Sequence, residues 1–93
     1  DSFARLRAAA RLTRYGGDCY CYGLLASGHV DLVAETGLQP FDYLAVVRVV
    51  EAAGGVMTDW AGCPLGLGSD GRVLAAATPA LHAQALRLIA SDA

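Results

Sequence analysis

Residues 35–59 read ETGLQPFDYLAVVRVVEAAGGVMTD, and this stretch decides the fold and the chemistry. Glu35 ends one apolar segment, Gly37 and Pro40 interrupt the chain, and Asp42 opens a long apolar run that closes at Gly54-Gly55. The run is rich in β-branched valines (Val46, Val47, Val49, Val50), which favour strands. Its length and its Ala-Ala-Gly-Gly ending instead predict a helix over 42–53, buried on several sides because apolar residues surround it. One carboxylate then lies at the end of a strand and a second at a helix N-terminus, facing one crevice. Free N–H groups and the helix dipole make such a place suited to a divalent metal and a phosphorylated substrate. An Asp in a first turn also serves as a simple cap, and the stretch taken alone leaves both roles open.

Working outward, the chain continues this α/β pattern. Residues 2–11 combine Ala, Leu and Arg without a breaker and predict a helix. Residues 11–15 predict a short strand that turns at Gly16-Gly17. Asp18 is placed to cap a helix running to about Ala26, stopped by Ser27-Gly28. In the strand expected over His29–Glu35, Val30, Leu32 and Ala34 share one face and Val33 takes the other. Residues 36–41 are expected to be a loop, 56–60 a strand, 61–72 a glycine-rich loop turning at Asp70-Gly71, and 73–77 a strand. Thr78-Pro79 caps a last helix through about Ala90, with Leu81, Ala85, Leu88 and Ile89 on its inner stripe. The expected architecture is α/β, a sheet flanked by helices.

Composition narrows the partners. Ninety-three residues make one domain, which buries roughly 60% of its unfolded surface. Hydrophobic residues make up 55% of the chain and the mean hydropathy is +0.40, high for a free-standing domain. No apolar run reaches the ~18 residues of a membrane span, and the first residues do not resemble a secretory leader. A soluble chain missing part of its packing partner is therefore expected. A net charge of −2 without a basic stripe argues against nucleic acid. All seven cations are arginines; Arg5, Arg7, Arg11 and Arg14 near the start are read as a solvated helix face. Three cysteines without a secretory signal point to a reducing cytoplasm. Cys19, Cys21 and Cys63 lack metal-site spacing and are read as packing residues.

The remaining polar candidates read as structural. His29 is expected at a loop or strand edge, His82 on a solvated helix face, and Asp59 in a turn. Arg48 and Glu51 are expected to pair along the helix. Tyr20, Tyr22 and Trp60 are read as packing aromatics.

From Pro40 to Gly62 the chain reads PFDYLAVVRVVEAAGGVMTDWAG, which resembles the C-terminal motif of the inositol monophosphatase-like phosphatases: W-D-x-A-A-G, E-A-G-G, then T-D-x-x-G. Phe41 stands for the usual Trp and Leu44 for a small residue; Asp42, Glu51–Gly55 and Thr58-Asp59 match. The likeness extends upstream through RYGGDCYCYGLLASGHVDLVAETGLQPFD and covers residues 5–90. It implies the C-terminal lobe of a layered αβαβα sandwich, hydrolysis of a phosphate monoester, and Mg2+ as cofactor. By resemblance, Asp42 ligates metal beside the attacking water, and Glu35 contacts the alcohol part of the substrate. Tyr15–Tyr20 (YGGDCY) resembles the histidinol-phosphate phosphatase branch, which serves histidine biosynthesis. There Gly17 and Asp18 are implied in substrate binding, where inositol phosphatases place a small residue. A carboxylate at Asp18 suits a cationic alcohol, because a charge-assisted hydrogen bond is about twice as strong as a neutral one.

The family's other metal ligands, a Glu and the D-P-[IL]-D-G-[ST] carboxylates, belong to an N-terminal half that is not among these residues. Ser69-Asp70-Gly71 lacks the first carboxylate of that element. Residues 1–93 are therefore expected to be one C-terminal lobe, inactive alone, whose partners are that N-terminal lobe, a small phosphorylated substrate and, by family habit, a second copy in a homodimer. Two alternatives stand beside histidinol phosphate hydrolysis: another substrate, inositol 1-phosphate or a sugar phosphate, and a non-catalytic docking fragment.

Overall fold

The computed structural model describes residues 2–10, 22, 24–38 and 40–90. Helix α1 spans Ser2–Ala9, strand β1 Leu32–Glu35, helix α2 Pro40–Ala52, strands β2 Val56–Thr58 and β3 Val73–Ala76, and helix α3 Pro79–Ala90. Residues 22 and 24–26 are also helical, and the chain turns at Gly28 with φ of 88°. The strand expected over 11–15 and the cap expected at Asp18 lie outside the described residues.

The three strands form one sheet in the order β1-β3-β2. Both β1 and β2 run antiparallel to β3, so they are parallel to each other with β3 inserted between them. Helix α2 makes the crossover from β1 to β2. Its start differs from expectation by two residues: Pro40 belongs to the helix, as a residue with fixed φ and no N–H suits a first turn. Asp42 is thus within the first turn and does not open it. The end follows the glycine signal. Gly54 takes φ of 90°, and the Gly55 N–H donates to the Val50 carbonyl at 2.9 Å. A Cβ on Gly55 would lie 2.7 Å from the Ala76 carbonyl oxygen and 2.9 Å from Val50 Cγ1, so only glycine lets α2 turn this closely over β3.

Strand alternation sorts the side chains into two cores. Val33, Met57, Val73 and Ala75 face one way and pack with Tyr22, Leu25, Tyr43 and Val50 beneath α2. Leu74 faces the other way and packs with Leu6 of α1 and Ala85 and Ile89 of α3; Leu32, Ala34 and Trp60 border it. The expected alternation of Leu32 and Ala34 against Val33 holds. Val30 departs from it and packs with Val33, because the strand begins only at Leu32 and period-two alternation does not extend to residue 30.

Helix α2 is buried along one side, not all round: Tyr43 and Val50 are inaccessible, while Asp42, Arg48, Val49 and Glu51 are exposed. Among the described residues the large exposed apolar side chains are Val49 and Leu67. Arg48 and Glu51 form no ion pair among the described residues; the exposed pair found there is Arg72–Asp70. Arg5 does not merely face solvent. Its Nε and Nη2 donate to the Leu88 and Ile89 carbonyls at 2.6 and 2.9 Å, capping the end of α3 from α1.

Candidate functional site

Glu35 is the last residue of β1, directly opposite Val73 of β3. Two residues beyond Val33, it projects to the same side of the sheet. Tyr22 arrives there from the preceding helical segment, 2% exposed, and its hydroxyl donates to Glu35 Oε1 at 2.5 Å. A buried tyrosine needs a partner for its hydroxyl, and here that partner is the carboxylate at the strand end. Reading Tyr22 as packing alone missed this contact. The available signal was a tyrosine, not a phenylalanine, at an apolar helical position thirteen residues before an acid.

The chain then turns towards α2. Gly71 has φ of 86°, and a Cβ there would lie 2.7 Å from the Leu38 carbonyl oxygen. The Leu38 N–H donates to the Gly71 carbonyl at 3.1 Å. This close approach ties the loop after Glu35 to the loop before β3. Asp42 follows in the first turn of α2, exposed, while its neighbour Tyr43 is buried and donates its hydroxyl to the Gly66 carbonyl at 2.7 Å. The helix therefore points residue 43 into the core and leaves the carboxylate of residue 42 at the surface, in the positive end of the α2 dipole.

The donor chemistry fits Mg2+ in part. Mg2+ is a hard cation that takes oxygen ligands, commonly one or two carboxylates plus waters and substrate phosphate. Asp42 is a carboxylate of that kind, exposed at the surface. Among the described residues no cluster of three His, Cys, Asp or Glu forms a metal cage. Asp42 thus fits as one ligand of a set completed elsewhere. Gly17 and Asp18, the other expected substrate contacts, lie outside the described residues.

The other candidates divide. Asp59 is a turn residue, as expected: its Oδ1 accepts from the Ala61 and Cys63 N–H groups at 2.9 and 2.8 Å. His29 is exposed, with Nδ1 2.9 Å from Ser27 Oγ. Two expectations are overturned. Cys63 is exposed and does not pack, because the Asp59 turn carries it outward; Cys19 and Cys21 lie outside the described residues. His82 is 8% exposed and belongs to the inner stripe of α3 with Ala85 and Ile89. Its Nε2 is 2.7 Å from Thr58 Oγ1, whose single proton is engaged with the Asp59 carbonyl at 2.7 Å. Counting donors assigns the imidazole proton to Nε2, donating to Thr58. Burial holds its pKa below the ordinary 6.5.

Known proteins match this chain along nearly all of its length. It is 45% identical over 92 residues to "Bifunctional phosphatase IMPL2, chloroplastic" of Arabidopsis thaliana, covering 91% of the chain and 27% of that protein. A histidinol-phosphatase of Chlorobaculum parvum is 41% identical over 58 residues, 62% of the chain and 22% of that protein. A solved inositol monophosphatase from Zymomonas mobilis superposes with a TM-score of 0.91 at 48% identity, covering 95% of the chain and 35% of that structure. The chain spans about a quarter of the first curated relative and about a third of the solved structure. The model of the inositol monophosphatase family matches residues 2–92, and the chain belongs to that family.

Proposed function

We propose that these residues form the C-terminal lobe of a Mg2+-dependent phosphate monoester hydrolase acting on histidinol phosphate. The reading is supported by the exposed carboxylate of Asp42 in the first turn of α2, the residue that by resemblance of its motif would ligate metal. The substrate is suggested by Asp18 within YGGDCY and by the likeness to the Chlorobaculum histidinol-phosphatase. Cytoplasmic residence is proposed from the cysteine usage. Among the described residues no helix is long and apolar enough to cross a membrane.

In this reading Asp42 would be one of the metal's ligands, and the α2 N-terminus would add fixed positive polarity for a bound phosphate. Bound Mg2+ supplies an acidified water, a fixed phosphate and charge neutralisation at the leaving oxygen. Glu35 receives a donor group of the alcohol portion. Gly17 and Asp18 are assigned to substrate binding, with Asp18 meeting the ammonium. The 93 residues alone contribute one metal carboxylate and are expected to be inactive; the N-terminal lobe of the same enzyme completes the ligand set. A homodimer remains part of the proposal on family grounds.

Inositol 1-phosphate or another sugar phosphate is the second reading, supported by the 48% identity to the Zymomonas inositol monophosphatase. Substituting Asp18→Ala in the full-length enzyme separates the two. Loss of one charge-assisted contact lowers kcat/KM for histidinol phosphate by roughly 10- to 100-fold and leaves uncharged phosphate esters near the parent rate. Equal losses on both would exclude a role for Asp18 in reading the ammonium.

A further inference from the structure

We infer that Tyr22 is a positioning residue for the substrate's alcohol portion: its buried hydroxyl occupies Oε1 of Glu35 and thereby aims Oε2 at the substrate. The inference rests on the proposed reading of Glu35 as a substrate contact and adds to it the residue that makes the contact directional.

Three observations carry it. The Tyr22 ring is 2% exposed within the α2-side core, beside Leu25, Val33, Tyr43 and Val50, so the hydroxyl is held by a packed body and not by a mobile side chain. The bond to Glu35 Oε1 is 2.5 Å and joins residues thirteen apart, linking the helical segment before β1 to the strand's end. Glu35 itself is half-buried, so the carboxylate is neither sealed in the core nor free in solvent. A glutamate has three rotatable bonds, and fixing one oxygen removes most of that freedom before substrate arrives. The chemistry follows from the polarity of the bond. With the phenol donating to Oε1, Oε2 offers its lone pairs to a donor, so it selects a hydroxyl or an ammonium over a carbonyl or an ether. The substrate class is therefore a phosphate monoester whose alcohol portion presents a hydrogen-bond donor.

The test is a double-mutant cycle in the full-length enzyme, using Tyr22→Phe, Glu35→Gln and the pair, with KM and kcat measured on histidinol phosphate and on inositol 1-phosphate. Phenylalanine keeps the buried ring and removes only the hydroxyl. Thermal melting of each variant establishes that it is folded. The expected result on the better substrate is a KM raised roughly tenfold by Tyr22→Phe with kcat little changed, the size of one hydrogen bond to a charged group. The pair then raises KM no further than Glu35→Gln alone, because both substitutions disable one device. If Glu35→Gln raises KM while Tyr22→Phe does not, or if the two effects simply add, the positioning role is overturned and the Glu35 reading stands. If Glu35→Gln leaves KM unchanged on both substrates, the underlying reading of Glu35 fails and the inference fails with it. Should Tyr22→Phe melt too low for assay, Glu35→Asp decides. It withdraws the carboxylate from the hydroxyl by one methylene while keeping its charge. A parent-like KM for that variant overturns the role, and a roughly tenfold rise supports it.

Discussion

The two faces of the sheet use polar side chains in opposite ways. On the α2 face, Tyr22 and Glu35 form a hydrogen bond that ends at a half-buried carboxylate, and Asp42 lies exposed in the first turn of the helix. On the α1–α3 face, His82 and Thr58 form a contact of 2.7 Å that is buried and continues to the Asp59 carbonyl. One network ends on a half-buried carboxylate; the other runs from the buried His82 through Thr58 to a backbone carbonyl. Open polar ends near a helix N-terminus are what a ligand needs, and closed ones hold helices to sheets. The contrast predicts that substitutions on the first face change activity at nearly constant stability, and those on the second do the reverse.

The largest expected effect lies on the first face. Asp42→Asn in the full-length enzyme keeps the size and the hydrogen-bonding oxygen of the side chain but removes its charge. Loss of a metal carboxylate lowers kcat/KM by more than about 100-fold, since even outer partners of metal ligands cost 10- to 100-fold. Melting temperature changes little, because the residue is exposed and the dipole contribution is about 0.3 to 1 kcal/mol. Activity within a few-fold of the parent would remove Asp42 from the metal and leave it a cap. Such a result would erase the contrast between the faces.

Next comes His82→Ala, which empties a buried position and withdraws the donor from Thr58. A loss of about 2 kcal/mol in denaturant unfolding is expected, with kcat unchanged. The same residue gives a smaller effect through pH. Its folded pKa lies below the unfolded value of 6.5, so the unfolded chain binds a proton that the folded chain refuses. Its contribution is intact above pH 6.5 and is lost as pH falls from there towards the folded pKa. Unfolding curves at pH 7.5 and 5.5 show a decline for the parent that is shallower in His82→Gln. Identical slopes for both would mean that burial does not disfavour the imidazolium here.

These tests also mark where the amino-acid pattern was readable. The alternation of Leu32 and Ala34 against Val33 holds in the sheet, and Thr78-Pro79 announces α3, whose cap appears as the Leu81 N–H donating to Thr78 Oγ1 at 3.2 Å. Such features are local and follow from the period of the backbone. His82 was misread because its burial depends on Thr58, twenty-four residues away, which supplies the acceptor that makes an imidazole tolerable inside. Cys63 was misread for the complementary reason: the Asp59 turn that lifts it from the core is set by side-chain to backbone bonds and not by hydropathy. At the site, the resemblance pointed to Glu35 and Asp42, while the Tyr22 hydroxyl became visible only when the helical segment and the end of β1 were brought together.

The smallest expected effect tests whether polar contacts at the rim of the second face add to its stability. The Arg72 guanidinium lies 5.7 Å from the centre of the Trp60 ring, and its Nε is 3.8 Å from Asp70 Oδ2, with both charged side chains about 60% exposed. Trp60 is fixed from the other side by its N–H donating to the Val73 carbonyl at 3.1 Å, so the ring is a rigid platform. An exposed ion pair at that distance contributes little, whereas a cation over an indole contributes about 0.5 to 1 kcal/mol even in solvent. Asp70→Asn keeps the Oδ1 acceptor for the Arg72 N–H and removes the charge, so stability should change by less than about 0.5 kcal/mol. Arg72→Ala should cost up to about 1 kcal/mol and alter the near-ultraviolet signal of Trp60. The reverse ranking would mean that the carboxylate, not the ring, holds the guanidinium, and that the rim of this face depends on charge pairing as its sealed interior does not.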